Sequence, residues 1–597
     1  MRSRTFTALT AAVALSLCSS LLTGPASAAA QAPVKVPTAR GYGGAVSTVD
    51  AVASQVGIDV LRKGGNAVDA AIAAAATLGV TEPFSAGIGG GGFFVYYDAK
   101  HRRVHTIDGR ESAPASATDK WFVNPDTGQA YAFDEARVSG LSVGTPGTLA
   151  TWESAARRWG TQPLGKLLQP GARVAENGFE VDATFNQQVA ANRDIFGLFD
   201  SSSELYLPGG QPPAVGSIQR NPDLAATYRL IARQGTDVLY RGPVARDIVR
   251  TVQHPPLAEE PIGTWQYPVR GADLRLSDLA NYRVRHPEPT KSKYKGLTVY
   301  GMTKPSSGGT AVGEALNIIE RADLSSDIQT LHQYLEASAL AFADRNRYVG
   351  DRTPQWQLDR LISDGWARQR ACQIDPERAL TKPVQPGDIT ARGCTPAAAG
   401  AKVEEGQSTT NLTVSDKWGN VVEYTFTIEA TGGSGMVVPG RGFILNNELT
   451  DFNFTGTQGT APDPNLPAAN KRPRSSMSPT VVLKDGKPFL ALGSPGGATI
   501  ITTVLQLLVN RLELGMTLPE AMAAPRASQR NSAAVQAEPA FIAAYGEQLG
   551  ELGHSFQPPI AELGAATAIE FGRHGRVVAS AEPTRRGGGA AAVEFPR

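Results

Sequence analysis

Cysteine is scarce in this chain: Cys18, Cys372 and Cys394 are the only three in 597 residues. Histidine is almost as rare, with seven. No Cys-x-x-Cys, His-Glu-x-x-His or other ligand-spaced cluster occurs, so no metal centre is expected. Neither sign of charge prevails, since 57 Lys and Arg stand against 56 Asp and Glu. No basic run stands out, which argues against nucleic acid or an anionic membrane surface as a partner. Past the N-terminus no stretch reaches about 18 uninterrupted apolar residues, so no membrane-spanning helix is expected. No repeat of solenoid period is found. What remains is an ordinary globular composition, 41% hydrophobic and 19% charged, ample for a large core.

The first residues read as an export leader. Arg2 and Arg4 form a basic start, an apolar stretch runs from Ala8 to Leu22, and Ala26-Ser27-Ala28 is a small-residue cleavage site. A membrane anchor is the alternative, but the stretch is short and a cleavage site follows at once. A lipid anchor on Cys18 is disfavoured by the bulky Leu17 before it. Removing residues 1–28 takes away two arginines and leaves acidic groups in excess by one. Export would put Cys372 and Cys394 in an oxidising compartment, where a disulfide between them is expected rather than two free thiols. Closing that loop is worth roughly 3 kcal/mol in the chain-entropy model.

Further on, Asp50 reads as the cap of a helix that ends at Gly64-Gly65. Asn66 caps a second, alanine-rich helix over 67–78, with Asp69 at its third position. Gly87 to Gly92 match G-x-G-x-x-G, yet a helix precedes them and a strand (93–97) follows. That order is the reverse of a dinucleotide site, and close packing of backbone is the better reading. Residues 331–343 read as a helix, and 380–408 as a surface loop rich in Pro, Gly, Ala and charge.

Residues 409–428 alternate at period two around a turn at 416–420. Placing Ser415 opposite Val421 sets Thr409 opposite Thr427. Thr409, Asn411, Thr413, Glu423, Thr425 and Thr427 then share a polar face, and Leu412, Val414, Val422, Tyr424 and Phe426 an apolar one. Facing residues lie about 5 Å apart at Cβ, so the two threonines can touch. A threonine-rich, half-buried hairpin without chemistry fits the same pattern. Gly493-Ser494-Pro495-Gly496-Gly497 separates a strand-like run from a helix-like run over 500–512. Glycine N–H groups there form a nest for negative charge, or a plain turn. Ser475-Ser476 follow Lys471-Arg472-Pro473-Arg474, a setting for a carboxylate or simply a solvated loop.

These segments, in this order, resemble the gamma-glutamyltransferase family of N-terminal-nucleophile hydrolases over residues 40–595. The resemblance is carried by Gly64-Gly65-Asn66-Ala67-Val68-Asp69-Ala70-Ala71, Glu82-Pro83 with Gly87 to Gly92, Asp108-Gly109-Arg110-Glu111 and Pro305-Ser306-Ser307-Gly308-Gly309. Ala343-Asp344-Arg345, Thr409-Thr410, Leu445-Asn446-Asn447-Glu448 with Asp451-Phe452, Asn470-Lys471-Arg472-Pro473, Ser475 to Pro479 and Gly493 to Gly497 complete it. Each motif is weak alone, but so many in sequence are specific.

The resemblance implies an α+β fold, a four-layer αββα sandwich made as a proenzyme. It implies a leader over 1–28, a large subunit over 29–408 and a small, catalytic subunit over 409–597, cut between Ser408 and Thr409. Thr409 would be the nucleophile, with Thr427 holding its amine and Gly496 and Gly497 stabilising the oxyanion. Arg110, Ser475 and Ser476 would bind the substrate α-carboxylate, and Glu448 and Asp451 its α-ammonium. Glu429 stands where many relatives have Asn, adding a negative charge beside that ammonium. The implied substrates are a γ-glutamyl donor such as glutathione and an amino-acid or peptide acceptor, without a cofactor. The stretch between Phe452 and Ser475, a lid in some relatives, is Gly/Pro/Ala-rich over 455–469 and shorter than in lidded members, which implies an open site. Two alternatives stand beside this activity: an acylase or carbon–carbon hydrolase on the same machinery, and a secreted binding protein without catalysis.

Overall fold

The computed structural model describes residues 33–394 and 408–597. The expected leader and the loop stretch 395–407 lie outside the described residues. The expectation of a mixed α+β fold holds: a large antiparallel sheet carries helices.

Its strands are β1 (Thr38–Thr48), β2 (Gly91–Asp98), β3 (Arg103–Gly109), β4 (Thr290–Tyr294), β5 (Leu297–Gly301), β6 (Thr410–Ser415) and β7 (Val421–Thr427). The set continues with β8 (Thr480–Lys484), β9 (Lys487–Gly493), β10 (Thr567–Phe571), β11 (Arg576–Ala581) and β12 (Ala590–Pro596). They run in the order β3-β2-β7-β6-β1-β11-β10-β9-β8-β5-β4, with β12 also on β1. β1 joins the two halves. Its first residues (38–42) pair with β11 and its last (45–48) with β6, across a kink at Gly43. Beyond that kink the sheet folds back on itself, so that β6 and β7 lie face to face with β10 and β9.

Helices cover the two outer faces. α1 (Ala51–Arg62) and α2 (Ala67–Thr81) lie over β1, β6 and β7, and α3 (Thr148–Trp159) over β2 and β3. On the far side α4 (Gly308–Ile319) covers β4 and β5, α6 (Thr499–Leu512) covers β9, and α5 (Asp327–Tyr348) packs on α4 and α6. The caps are those the sequence predicts. Asp50 accepts from Ala53 N at 2.8 Å, and Asn66 and Asp69 form a reciprocal capping box. Every residue of α2 is buried, and seven of its fifteen are alanine, small enough for close packing. α5 is longer than the predicted 331–343, because Ser326 caps it early and its inner face stays buried as far as Arg345.

The glycine run sits between α2 and β2, not between strand and helix, and packs backbone on backbone. A Cβ at Gly90 would come within 2.0 Å of the Thr427 carbonyl oxygen, and one at Gly89 within 2.0 Å of that of Ile444. The described part of the predicted surface loop over 380–408 is less free than its composition implies. Val384 and Gly387 are buried, Lys382 pairs with Glu336, and Gly387 N donates to Asp344 at 2.6 Å. The Cys372–Cys394 disulfide closes this segment.

Candidate active site

β6 and β7 form the hairpin in the register read from the sequence, with Ser415 opposite Val421 and Thr410 opposite Phe426. The apolar face, Leu412 to Phe426, enters the core beneath α2 and α3. The polar face is no solvent face. It is pressed against the other half of the sheet, where Asn411 donates to Glu423 at 2.5 Å and to Thr567 at 2.8 Å. Burial there pushes the Glu423 carboxyl well above its ordinary range. Gly493 makes room for these groups, since a Cβ would lie 2.4 Å from both Asn411 Oδ1 and Glu423 Oε1.

At the open end of this face lies Thr409, 3% exposed, with its hydroxyl 3.3 Å from that of Thr427. A pocket there is lined by Arg110, Ser408, Thr409, Thr427, Glu429, Glu448, Asp451, Ser475, Ser476 and Gly497. The chain thus brings together nearly every residue the sequence singled out, over some 390 positions. Gly496 is not among the lining residues; its carbonyl turns into α6 and accepts from Thr499 N at 3.2 Å. Gly496 and Gly497 both have positive φ, 136° and 58°, and directly precede that helix N-terminus. Met477, Ala498 and Ile500 add an apolar wall that the sequence did not announce.

Arg110 reaches the pocket from the end of β3. Its guanidinium pairs with both Glu448 and Asp451 and donates to the carbonyls of Pro473 (3.3 Å) and Arg474 (3.1 Å). Glu448 and Asp451 share one helical turn, which aims both carboxylates at the same cation. Ser476 accepts from Arg345 at 2.8 Å, so α5 supports the serine pair from behind. Glu429 sits at φ 77°, its N–H donating to Thr427 Oγ1 at 2.8 Å and its carboxyl accepting from Asn447. Burial first, then the nearby Asp451 charge, pushes that carboxyl up to about 8. Asn447 and Arg345 belong to sequence motifs quoted above, but spacing alone gave them no role.

The loop after Phe452 folds around Asp463, which accepts from Asn453, Thr457 and Asn465. None of residues 453–474 lines the pocket. Among the described residues one group of potential metal ligands converges, His332, Glu336 and His554, away from the pocket lining. Its partners are already taken. His332 Nε2 donates to the Asp375 carbonyl, so its Nδ1 accepts from His554 at 2.9 Å, and the Lys382 ammonium sits on Glu336.

Thr409 thus lies buried at the head of a central strand, in the lining of a pocket that also holds the paired charges of Arg110, Glu448 and Asp451. Residues 53–592 match the family Gamma-glutamyltranspeptidase, and the chain belongs to that family, within the N-terminal-nucleophile hydrolases. It is 36% identical to the glutathione hydrolase proenzyme of Bacillus subtilis (strain 168) over 570 residues, 93% of this chain and 92% of that protein. It is 33% identical over 569 residues to the acylase ACY 1 proenzyme of Pseudomonas sp. (strain SE83), 92% of this chain and 95% of that one. Among solved structures, the cephalosporin acylase from Bacillus halodurans superposes with a TM-score of 0.77 at 27% identity, covering 95% of this chain and 98% of that one.

Proposed function

We propose that this chain is an exported, self-processing gamma-glutamyltransferase and glutathione hydrolase on a four-layer αββα sandwich. The observation that carries the reading is the Thr409–Thr427 contact at 3.3 Å, inside a pocket that also holds Arg110, Glu448 and Asp451. Processing begins when the Thr409 hydroxyl attacks the Ser408 carbonyl carbon. The carbon–nitrogen bond breaks, the hydroxyl proton passes to the departing amine, and an ester remains. Water hydrolyses the ester, giving subunits 29–408 and 409–597. Threonine is a weak nucleophile without an adjacent base, and its own freed α-amine, a group that ordinarily titrates near neutrality, supplies one.

The donor arrives as a zwitterion, and the pocket accepts it by exchange of ion pairs. The α-carboxylate takes the Arg110 fork with Ser475 and Ser476, and the α-ammonium takes Glu448 and Asp451 from it, with Glu429 beside them. No buried charge is left alone, which would otherwise cost several kcal/mol. Thr409 then attacks the γ-amide, and N–H groups at Gly496-Gly497 stabilise the oxyanion. The amine product leaves, and water or an amino acid or peptide amine takes the γ-glutamyl group from the threonine ester. Export rests on the leader read over 1–28. A second reading, an acylase, is favoured by Glu429 and by relatives of that name.

The test is direct. Purified protein should give two bands on a denaturing gel, the smaller beginning at Thr409, and should release the anilide from a γ-glutamyl anilide. Thr409→Ala should stay one chain and turn nothing over. A correctly cut enzyme that ignores every γ-glutamyl donor but deacylates a glutaryl amide would establish the acylase instead.

A further inference from the structure

The Ser408–Thr409 bond is gripped from outside the pocket. Arg586, in the turn before β12, donates Nη1 to the Thr409 carbonyl at 2.7 Å. Its Nη2 donates to Ser85 Oγ at 2.9 Å and reaches Glu82 at 3.3 Å. Ser85 Oγ lies 3.0 Å from Ser408 Oγ. One guanidinium and one hydroxyl therefore touch both residues that flank the bond, from segments about 500 positions apart in the chain.

The backbone between those grips is strained. Thr409 has φ 149°, a region costly for any β-branched residue, by about 1–3 kcal/mol. That torsion is defined by the Ser408 carbonyl carbon, so it exists only while the bond is intact. Arg586 Nη1 fixes the Thr409 carbonyl on one side of that torsion. Turning Ser408 would relax the other side, but Ser85 holds Ser408. Glu82 ends α2 and takes the remaining side of the guanidinium.

We propose that Arg586, Ser85 and Glu82 are positioning residues for self-cleavage, holding Ser408 and Thr409 in the strained backbone from which the threonine hydroxyl meets the preceding carbonyl. The inference rests on the reading that Thr409 cuts its own chain. It assigns a task to an arginine whose neighbour, Arg585, is spent on Glu538 and Glu582.

The experiment follows newly made chain on denaturing gels over time, for the unaltered protein, Arg586→Ala, Arg586→Lys, Ser85→Ala and Thr409→Ala. Arg586→Ala should lengthen the processing half-time by about tenfold or more, as expected for lost orientation. Its melting temperature should stay within about 2 °C of the Thr409→Ala chain. Guanidinium chloride at about 20 mM, too dilute to unfold the protein, should restore part of the rate, and sodium chloride at equal strength should not. Arg586→Lys should fall between, and Ser85→Ala should slow processing by a few-fold. Arg586→Ala cutting at the unaltered rate would overturn the proposal. So would slow cutting with a fallen melting temperature and no rescue by guanidinium, which would mark a structural prop. If Thr409→Ala is itself cut, the nucleophile reading fails; if it stays whole while Arg586→Ala cuts normally, only this inference fails.

Discussion

Two buried ion networks in this chain are built from the same groups, yet they are balanced differently. Arg526 and Arg585 meet Glu538 and Glu582: Arg526 pairs with Glu582 at 2.8 Å, and Arg585 pairs with Glu582 at 2.8 Å and with Glu538. Two cations face two anions, and the spare donors go to the carbonyls of Met522, Ala524 and Leu563. Burial raises the Glu538 carboxyl, but Arg585 and two backbone N–H groups outweigh it, and the carboxyl ends below its usual range. In the pocket Arg110 is the one arginine in the lining, facing Glu429, Glu448 and Asp451. There burial and like charge leave Glu429 raised, and Glu448 Oε2 has no hydrogen-bond partner. A balanced network is a strut. Under the proposed function, a network with surplus carboxylate and a cavity beside it is a seat for the donor's ammonium.

Breaking the strut should cost most. Arg526→Met leaves two buried carboxylates, Glu538 and Glu582, to the single cation of Arg585 and should lower unfolding free energy by about 3–5 kcal/mol, read from denaturant midpoints. Arg110→Met should act on turnover instead. Losing one partner of a buried charge pair costs about 2–5 kcal/mol, which is roughly thirtyfold to several-thousandfold in kcat/KM for a γ-glutamyl donor. Its melting temperature should drop less than that of Arg526→Met, because Asp451 faces the cavity and can be hydrated. Equal losses of stability with unchanged turnover in Arg110→Met would erase the distinction between strut and seat.

A third segment, 372–394, combines both kinds of support. The disulfide closes a span of 22 residues, worth at most about 3 kcal/mol. The same span is pinned by Lys382 on Glu336 and by Gly387 N on Asp344. Replacing both cysteines by serine should therefore lower the melting temperature by only a few degrees and leave the pocket working. Loss of processing in that double variant would give the bridge a role in self-cleavage as well.

How much of this was legible depended on distance along the chain. The hairpin register followed from alternation, because a one-residue slip would have put Thr409 on the same face as Phe426. The caps at Asp50 and Asn66 were legible because a cap and its target N–H are three residues apart. What alternation could not tell was what covers the polar face. Thr567 and Gly493 arrive from distant strands, so a face that reads as half exposed is dry. Nor could motifs show that Arg110 pairs with Glu448 and Asp451, or that Arg586 reaches Thr409. Those contacts join positions whose local patterns are independent, and only the folded sheet brings them together.

The smallest expected effect is the sharpest probe of the surplus charge. The Glu429 carboxyl, ordinarily near 4.5, is raised to about 8, first by burial and then by Asp451, against the pull of Asn447, Arg137 and Arg110. At pH 6.5 the pocket therefore holds it mostly as a neutral acid, and a donor's ammonium must expel that proton on binding. KM for a γ-glutamyl donor should fall by up to about 25-fold as pH rises from 6.5 to 8.5, then level off. A general base at the reacting hydroxyl acts on kcat rather than on KM, so the two effects are separable. Stability runs the opposite way. A raised carboxyl means the folded chain keeps a proton that the unfolded chain loses above pH 4.5. Its contribution is full below pH 4.5 and is lost as pH climbs through about 8. Glu429→Gln cannot ionise, so its KM should be nearly flat over this range and its stability should decline less between pH 6 and 9. A Glu429→Gln enzyme that kept the unaltered slope of KM with pH would move the titrating group elsewhere, to Glu448 or Asp451, and with it the seat of the ammonium.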